Sequence, residues 1–404
     1  MEAKSGGATK AVASSRLVYL DNSATTPVRP EVRAAVYRAL ETVWGNPSSR
    51  HRLGLEAEKA VERARTSLAR VLAVSPEEIV FTSGGTEANN LALKGLARAL
   101  RRRGRHLITS AVEHPSVLNV CRQLEAEEGF EVTYLPVDES GLVRPEDVVG
   151  ALRPDTVLVS IMHVNNEVGA IQPVEEIGRL LARQPEKVYF HVDAVQSFGR
   201  LQLRPKAWNI DLLTLSAHKI CGPKGVGALY VRRGIRLAPL MAGGDQEGGR
   251  RPGTENVPGI VGFGVAAELC AAEAAQAVPR LQELRRRLCE GIRERLPWVR
   301  YNGPPEEAAA PHILNVSFYV PAEWLLHFLE REGIYVSSGA ACHSRRPEPS
   351  HVLAAMGLAR EELGSAIRFS LSSLTTEEDI DYTIAKLGEL VPELRRLAET
   401  GRQP

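Results

Sequence analysis

Lys219 and Asp193 each end an apolar segment, and their side chains could form one reactive centre. A lysine amine at the end of a buried strand is desolvated, which lowers its pKa towards that of a usable nucleophile. Such an amine can form a Schiff base with a carbonyl compound. The alternative is a lysine that rests its stem on the sheet and keeps its charge in water. A carboxylate at the same sheet edge needs a cationic partner.

Two further polar segments could bind a phosphate group. Residues 83–90, which include Gly85 and Thr86, join a strand to a helix, so main-chain N–H groups at the helix start point outward. Ser216 and His218 follow another strand. Glycine pairs also make plain turns, which is the alternative for residues 83–90. A lysine Schiff base, a phosphate cradle and a buried acid together predict pyridoxal phosphate, whose ring nitrogen a carboxylate keeps protonated.

A cysteine and a histidine could serve such a cofactor. Cys342 lies in a run of small residues, 337–344, followed by Arg345 and Arg346, where nothing could pack a core. Nearby cations favour the thiolate, which is the nucleophilic form. The alternative for Cys342 is a buried structural cysteine. His114 follows a strand and could stack on the cofactor ring or shuttle a proton, although a histidine at a helix start can also have no role.

Size and composition limit the classes of function. A chain of 404 residues exceeds the usual size of one core, so two domains are expected. The net charge of +1 gives no reason to expect a nucleic acid or an anionic membrane as partner. The five cysteines show no zinc spacing, which argues against a metal site and favours a reducing, cytoplasmic location. No apolar run is long enough for a bilayer, and residues 1–16 are predicted to be a disordered tail, or alternatively an organellar transit peptide.

Apolar strand-like and helix-like segments alternate through the first part of the chain. The predicted strands are residues 79–82, 106–110, 131–136, 156–163, 188–192, 212–215 and 227–231. This alternation predicts an α/β fold with a mostly parallel central sheet flanked by helices. A long helical region, 257–296, then precedes strands at 313–319 and 366–371 and an amphipathic last helix. We expect a large cofactor-binding domain, 30–265, and a smaller α+β C-terminal domain formed by 17–29 with 266–404, which carries a mobile Cys342 loop.

The motifs of this chain resemble those of the cysteine desulfurases, in the class V aminotransferase group of fold-type I pyridoxal phosphate enzymes. The resemblance runs from about Leu17 to Leu394. The matching motifs are residues 19–27, 83–90, 113–114, 165–167, 193–196, 216–219, 251–254, 338–342 and 368–370. Their order and spacing make chance similarity very improbable.

The resemblance implies a role for each matching position around the cofactor. Lys219 would hold pyridoxal phosphate and move protons at the substrate Cα, and Asp193 would pair with the pyridinium. Gln196 would contact the phenolic oxygen, and His114 would stack on the ring. The phosphate ligands would be Thr86 beside Gly85, Ser216, His218 and, from a second subunit, Thr254. That last contact implies a homodimer. Asn165 and Arg368 would hold the substrate carboxylate, which suits the planar fork of arginine.

The reaction implied by the resemblance converts L-cysteine to L-alanine and leaves a persulfide on Cys342. A protein acceptor, such as an iron–sulfur scaffold, would then receive the sulfur for cluster assembly or thiolation. Two alternatives use the same cofactor, namely selenocysteine lysis and a class V aminotransferase reaction. A third alternative is a non-catalytic assembly or regulatory protein that keeps the fold.

Overall fold

The computed structural model describes residues 16–338 and 349–401. The helices are α1 (Pro30–Thr42), α2 (Arg52–Leu72), α3 (Gly85–Leu100), α4 (Pro115–Glu128), α5 (Pro145–Gly150), α6 (Val174–Leu181), α7 (Val257–Arg295), α8 (Ala322–Arg331), α9 (His351–Ala355), α10 (Arg360–Leu363) and α11 (Glu377–Glu399). The strands are β1 (Val18–Tyr19), β2 (Ile79–Thr82), β3 (His106–Ser110), β4 (Glu131–Leu135), β5 (Thr156–Ser160), β6 (Tyr189–Asp193), β7 (Leu212–Ser216), β8 (Gly227–Val231), β9 (Arg300–Asn302), β10 (Ile313–Ser317), β11 (Ile334–Tyr335), β12 (Ser337–Ser338) and β13 (Ala366–Ser370).

A seven-stranded sheet in the order β2-β8-β7-β6-β5-β3-β4 forms the centre of the molecule. Strand β8 runs antiparallel to its neighbours β2 and β7, and the remaining pairs are parallel. The strands other than β8 therefore share one direction, and their carboxyl ends meet at one edge. The predicted α/β class with a mostly parallel central sheet is confirmed.

Helices cover both faces of this sheet because successive strand residues point to opposite sides. In β7, Leu213 and Leu215 join a buried cluster with α2 and α7, whereas Leu212 joins a cluster with α3 and α4. The same alternation places Phe190 and Val192 of β6 on the α2 and α7 side. Water therefore has little access to the central strands, whereas β4 at the edge of the sheet remains partly exposed.

Strand β5 is shorter than the predicted segment 156–163, because it ends at Ser160. The chain continues beside β6 as far as His163, whose N–H donates to the carbonyl of Asp193 at 2.9 Å, and then turns back, so that Val164 forms an antiparallel bridge with Ile171. The side chain of Asn165 stabilises this turn, since its Oδ1 accepts the main-chain N–H groups of Glu167 at 2.9 Å and of Val168 at 3.0 Å. The predicted boundary was wrong by three residues, because residues 161–163 keep hydrogen bonds to β6 but leave the regular strand.

A second, antiparallel sheet in the order β12-β13-β10-β9 packs against α8, α11 and the end of α7. Its buried cluster includes Leu288 of α7 and Phe369 of β13. The N-terminal strand β1 pairs with β11 in parallel, so Val18 and Leu20 also belong to this cluster. The domain boundaries predicted above stay a prediction, and two separate clusters that share only α7 support them.

Helix α7 contributes to both cores. Its first part, with Phe263, packs in the cluster beneath the large sheet, and its later part, with Leu281 and Leu288, packs in the cluster of the small sheet. By length and composition α7 is also the one helix within residues 16–338 and 349–401 that could cross a membrane. A core helix passes the same test, and the packing of these residues is that of a core helix.

We expect Leu288→Ala to lower the free energy of unfolding by about 2–5 kcal/mol, because it removes a fully buried side chain and leaves a cavity. Denaturant unfolding followed by circular dichroism measures this loss. Gln282→Ala, on the exposed side of the same helix, is the matched control and should change stability by less than about 0.5 kcal/mol. Equal effects of the two substitutions would contradict the assignment of Leu288 to the core.

Candidate active site

A cavity of about 460 Å³ opens at the carboxyl edge of the large sheet. Strand β6 ends at Asp193, β7 ends at Ser216, and α3 begins at Gly85, so three element ends converge here. The small sheet closes the other side with Arg368 of β13. The lining includes Asp21, Gly85, Thr86, Asn89, His114, Ser116, Asn166, Glu167, Asp193, Gln196, Ser216, His218, Lys219 and Arg368. Ligands of open α/β sheets commonly bind at this kind of edge.

Lys219 lies in a single helical turn, Ala217–Lys219, directly after β7. Its amine donates to the main-chain carbonyls of Ser23 and Ala24, the latter at 2.7 Å. Burial lowers the pKa of this amine to about 7, and the positive charges of Arg368 and Arg200 act in the same direction. Near neutral pH a large fraction of the amine is therefore unprotonated and nucleophilic, as the sequence predicted.

The N-terminal segment that contains Ser23 and Ala24 is also hydrogen-bonded to the turn that carries Lys219. The main-chain N–H of Thr26 donates to the carbonyl of His218 at 3.0 Å, and the Thr26 hydroxyl donates to the same oxygen at 2.9 Å. The Thr26 hydroxyl also accepts the N–H of Cys221 at 2.8 Å. These contacts join the N-terminal segment to the end of β7 across more than 190 residues of sequence.

Asp193 stands on the floor of the cavity with its carboxylate already oriented. Its Oδ1 accepts the main-chain N–H of Val195 at 2.9 Å, and its Oδ2 accepts Nδ2 of Asn89 at 2.7 Å. Asn89 also donates to the hydroxyl of Ser116 at 2.8 Å. The sequence analysis quoted Asn89 within its motif but gave it no role. Its position three residues after Thr86, on the same face of a helix, was the available signal.

His114 and Gln196 line the same cavity. His114 caps the start of α4, where its Nδ1 accepts the N–H of Ser116 at 3.1 Å and lies 2.8 Å from the Ser116 hydroxyl. Because Ser116 also bonds to Asn89, the imidazole and the Asp193 carboxylate belong to one polar chain. Gln196 donates from Nε2 to the carbonyl of Ser23 at 2.9 Å.

The start of α3 and the end of β7 form a polar cradle. A Cβ at Gly85 would lie 2.9 Å from Cγ2 of Val195, so a side chain there would force a rearrangement. The buried hydroxyl of Ser216 has no hydrogen-bond partner within the described ranges. Burial lowers the pKa of His218 to about 4, so its ring is neutral, and Nδ1 lies 3.1 Å from the Thr25 hydroxyl. An unused buried hydroxyl beside a helix N-terminus fits a phosphate group.

Thr254 is exposed and does not line the cavity of its own chain. An ion pair nevertheless joins its loop to the polar cradle. Nε of Arg251 lies 2.9 Å from Oε1 of Glu87, which is in the first turn of α3. The other oxygen of Glu87 accepts the N–H of Ser83 at 2.6 Å. A contact between Thr254 and a cofactor in a second subunit stays a prediction.

The two residues predicted to hold a substrate carboxylate are placed differently. Arg368 lines the cavity, pairs with Asp21 at 2.7 Å and donates to the carbonyl of Asn166 at 2.9 Å. Its buried Nε has no partner among the residues that the structure describes. Asn165 is fully buried away from the cavity, where Nδ2 donates to the carbonyl of Val112 at 3.0 Å. The neighbouring Asn166 lines the cavity instead.

Cys342 lies outside the described residues, together with the rest of 339–348. Its predicted role as nucleophile therefore stays a prediction. On the N-terminal side of this segment, Ser337 and Ser338 form β12 and line the cavity. On the C-terminal side, the hydroxyl of Ser350 donates to Oε2 of the buried Glu167, another lining residue.

The family model described as aminotransferase class-V matches residues 18–383. This chain belongs to the class-V aminotransferase family. It is 48% identical to the cysteine desulfurase IscS of Methanosarcina thermophila, over 95% of this chain and 94% of that protein. A solved NifS-like protein superposes with a TM-score of 0.88 at 41% identity, over 94% of this chain and 100% of the other. The structure titled SspA in complex with cysteine gives a TM-score of 0.78 at 39% identity, over 89% and 99% of the two chains.

The family uses pyridoxal phosphate, which confirms the predicted cofactor. The geometry of this chain fits that group. Lys219 and Asp193 line one cavity, the buried hydroxyl of Ser216 has no partner within the described ranges, and a side chain at Gly85 would collide with Val195.

The lowered pKa of Lys219 predicts how its amine reacts in the cofactor-free chain. The rate at which an amine-reactive reagent modifies Lys219 should reach half of its maximum at pH about 7, because the reagent reacts with the neutral amine. For a lysine with the ordinary pKa of 10.5, the half-maximal rate would come at a much higher pH. Peptide mass spectrometry after labelling over a pH series measures this midpoint. Modification of the exposed Lys59 in the same samples corrects for the pH dependence of the reagent. A midpoint above pH 9 would contradict the burial of the amine.

Asn89→Ala should weaken the binding of pyridoxal phosphate roughly 10- to 100-fold, because a hydrogen bond to a charged group contributes about 1.5–3 kcal/mol. Equilibrium titration of the cofactor-free chain, followed by the absorbance of the bound cofactor, measures this change. The adjacent Asn90, whose Nδ2 donates to the main chain of its own helix, provides the matched control Asn90→Ala. Similar affinities of the two variants would show that Asn89 does not orient Asp193.

Proposed function

We propose that this chain is a pyridoxal-phosphate-dependent cysteine desulfurase that converts L-cysteine to L-alanine and leaves the sulfur as a persulfide on Cys342. One observation carries the proposal. The chain shares 48% identity with a cysteine desulfurase, and its buried amine of lowered pKa, Lys219, faces the same cavity as Asp193 and Arg368. The amine suits attachment to a carbonyl group, and the arginine suits an amino-acid carboxylate.

Pyridoxal phosphate, when bound, supplies an electron sink that stabilises negative charge at the substrate Cα. Asp193, held by Asn89 and the N–H of Val195, would pair with the protonated ring nitrogen. The remaining contacts would be Gln196 to the phenolic oxygen, His114 against the ring face, and Thr86, Ser216 and His218 to the phosphate. In the tautomer whose Nδ1 accepts the Thr25 hydroxyl, the neutral ring of His218 would present an N–H donor at Nε2.

Arg368 would bind the carboxylate of L-cysteine. Its Nη2 pairs with Asp21, whereas Nε is buried without a partner in the described part of the chain, so it can donate to a further oxygen. Asn166, which lines the cavity, would contact the substrate in place of Asn165, and Asn165 would act by holding the turn that carries Asn166. The neutral Nζ of Lys219 would accept the proton from the substrate Cα, which its lowered pKa permits near neutral pH.

The sulfur step would transfer one atom of sulfur without an external oxidant. The Cys342 thiolate attacks the substrate sulfur, the S–S bond of the persulfide forms, and the bond between Cβ and sulfur breaks. The electron pair of that bond remains with the carbon fragment, which takes up protons at Cβ and Cα and leaves as alanine. The charges of Arg345 and Arg346, close in sequence, favour the thiolate. His114 would act as the acid–base partner for the thiol proton of the substrate.

The homodimer, the sulfur acceptor and the cellular compartment belong to the same proposal. An exposed Thr254, on a loop that an ion pair joins to the phosphate cradle, supports a contribution to the site of a second subunit. The acceptor would be a protein such as an iron–sulfur scaffold. Cys121, Cys221, Cys270 and Cys289 are free thiols, which suits a cytoplasmic location.

Cys342→Ala should leave the visible absorbance of the bound cofactor intact and abolish the formation of persulfide and alanine from cysteine. Alanine is measured by amino-acid analysis, and persulfide by mass spectrometry of the intact chain. Cys289→Ala is the matched control, because this half-buried thiol lies on α7 and does not line the cavity. Alanine formation by Cys342→Ala at the parent rate would end the desulfurase proposal.

The Cys342→Ala variant and the substrate requirements also distinguish the alternative functions. A selenocysteine lyase would still form alanine from selenocysteine without Cys342, because selenium leaves without a protein thiol. An aminotransferase would require a 2-oxo acid and would convert it to an amino acid. A chain that gains no visible absorbance with pyridoxal phosphate would instead be a non-catalytic member of the family.

A further inference from the structure

Arg200 is a buried guanidinium to which the roles described above give no function. Only 8% of its surface is exposed. Its Nη2 donates to the main-chain carbonyl of Lys219 at 2.9 Å, and its Nη1 lies 3.2 Å from Nε2 of His312. Nη1 also lies 3.4 Å from the main-chain oxygen and from the side-chain oxygen of Gln196. These partners carry no negative charge, so the positive charge of Arg200 is not compensated by a bonded carboxylate in the described part of the chain.

His312 cannot share this charge. Burial lowers the pKa of its imidazole well below the usual value, and the nearby Arg200, Arg285 and Arg368 lower it further. The ring is therefore neutral, and Nε2 accepts from the guanidinium while the proton resides on Nδ1. The result is a fixed cation that is hydrogen-bonded to the main chain of Lys219.

The two arginines that lower the pKa of the Lys219 amine differ in whether a carboxylate pairs with them. Arg368 forms an ion pair with Asp21 at 2.7 Å and, under the proposed function, would also bind the substrate carboxylate. Burial is the largest cause of the lowered pKa of Lys219, followed by Arg368 and then Arg200, while Asp21 and Asp193 act in the opposite direction. Once acids neutralise Arg368, Arg200 is the next cation among the described residues that lowers the pKa of the amine.

We propose that Arg200 is a positioning residue for Lys219, because its guanidinium fixes the main chain of Lys219 and contacts the side chain of Gln196, and its charge, which no bonded carboxylate among the described residues compensates, lies beside the turn that carries the amine. The planar fork of arginine can serve diverging acceptors in this way, whereas a lysine has no fork. An unpaired buried cation costs folding free energy, so packing alone does not account for its presence. The inference rests on the proposed function for the identity of Lys219 as the cofactor lysine.

The test uses the full-length chain and separates charge from geometry. Arg200→Met removes the charge at similar length, and Arg200→Lys keeps the charge without the fork. Arg285→Met is the matched control, because Arg285 is a half-buried arginine whose Nε donates to the carbonyl of Ile313 at 2.8 Å. For each variant, amine labelling of the cofactor-free chain gives the pH of half-modification of Lys219. The pH titration of the visible absorbance of the cofactor-loaded chain gives a second, independent midpoint.

We expect Arg200→Met to raise the half-modification pH of Lys219 by about one unit, a roughly tenfold change in the acid dissociation of the amine. Arg200→Lys should keep that pH near the parent value but weaken cofactor binding about tenfold, because the bonds to Lys219 and Gln196 are lost. Arg285→Met should leave both properties unchanged even if it lowers stability. A folded Arg200→Met chain with the parent midpoint would overturn the inference.

Two further outcomes are decisive. If circular dichroism shows that Arg200→Met does not fold, Arg200→Lys decides: weaker cofactor binding supports the inference, and parent-like binding overturns it. The labelling midpoint requires neither cysteine nor catalysis. A shifted midpoint in a chain that forms no alanine from cysteine would therefore support the role of Arg200 while refuting the desulfurase activity.

Discussion

The removal of one amine from water is the constraint on which this site depends. Lys219 lies in the turn that follows β7, a strand buried on both faces, and its amine lines the cavity, where burial lowers its pKa. The two carbonyls that accept its protons come from Ser23 and Ala24 and carry no formal charge. Carbonyl oxygens hold the amine in place but compensate an ammonium charge less than a carboxylate would. The amine is thus positioned without being trapped in its protonated form.

Both sheets are needed to complete this environment. The large sheet supplies Lys219 and Asp193, and the small sheet supplies Arg368. The N-terminal segment joins them, because Asp21 bridges Ser370 of β13 while Thr26 binds the carbonyl of His218. Packing of the two cores against each other therefore has a direct chemical consequence, since it sets the distance between the reactive amine and the arginine that would bind the substrate.

The parts of the site that the sequence predicted are those set by local pattern. Strand ends followed by polar residues placed Lys219 and Asp193 at one edge, and a glycine turn before a helix marked Thr86. The parts it missed depend on contacts between distant segments. Asn89 acquires its role by meeting Asp193, and Arg200 acquires its role by meeting Lys219 and His312. The resemblance gave a substrate role to Asn165, but the turn that this side chain caps directs Asn166 to the cavity. No periodicity in the chain carries this information.

The cavity favours the neutral form of some titratable side chains and the charged form of others. Desolvation is the largest cause of the lowered pKa of His218 and of Lys219, so near pH 7 the imidazole is neutral and a large fraction of the amine is neutral as well. Arginines resist deprotonation, so Arg368 and Arg200 keep their charge in the same surroundings. A dianionic phosphate and a carboxylate are attracted by that fixed positive potential, whereas the amine is pushed towards its neutral form by the same potential. Anion binding and amine nucleophilicity therefore both depend in part on the same arginines, and a substitution that removes a buried arginine affects both.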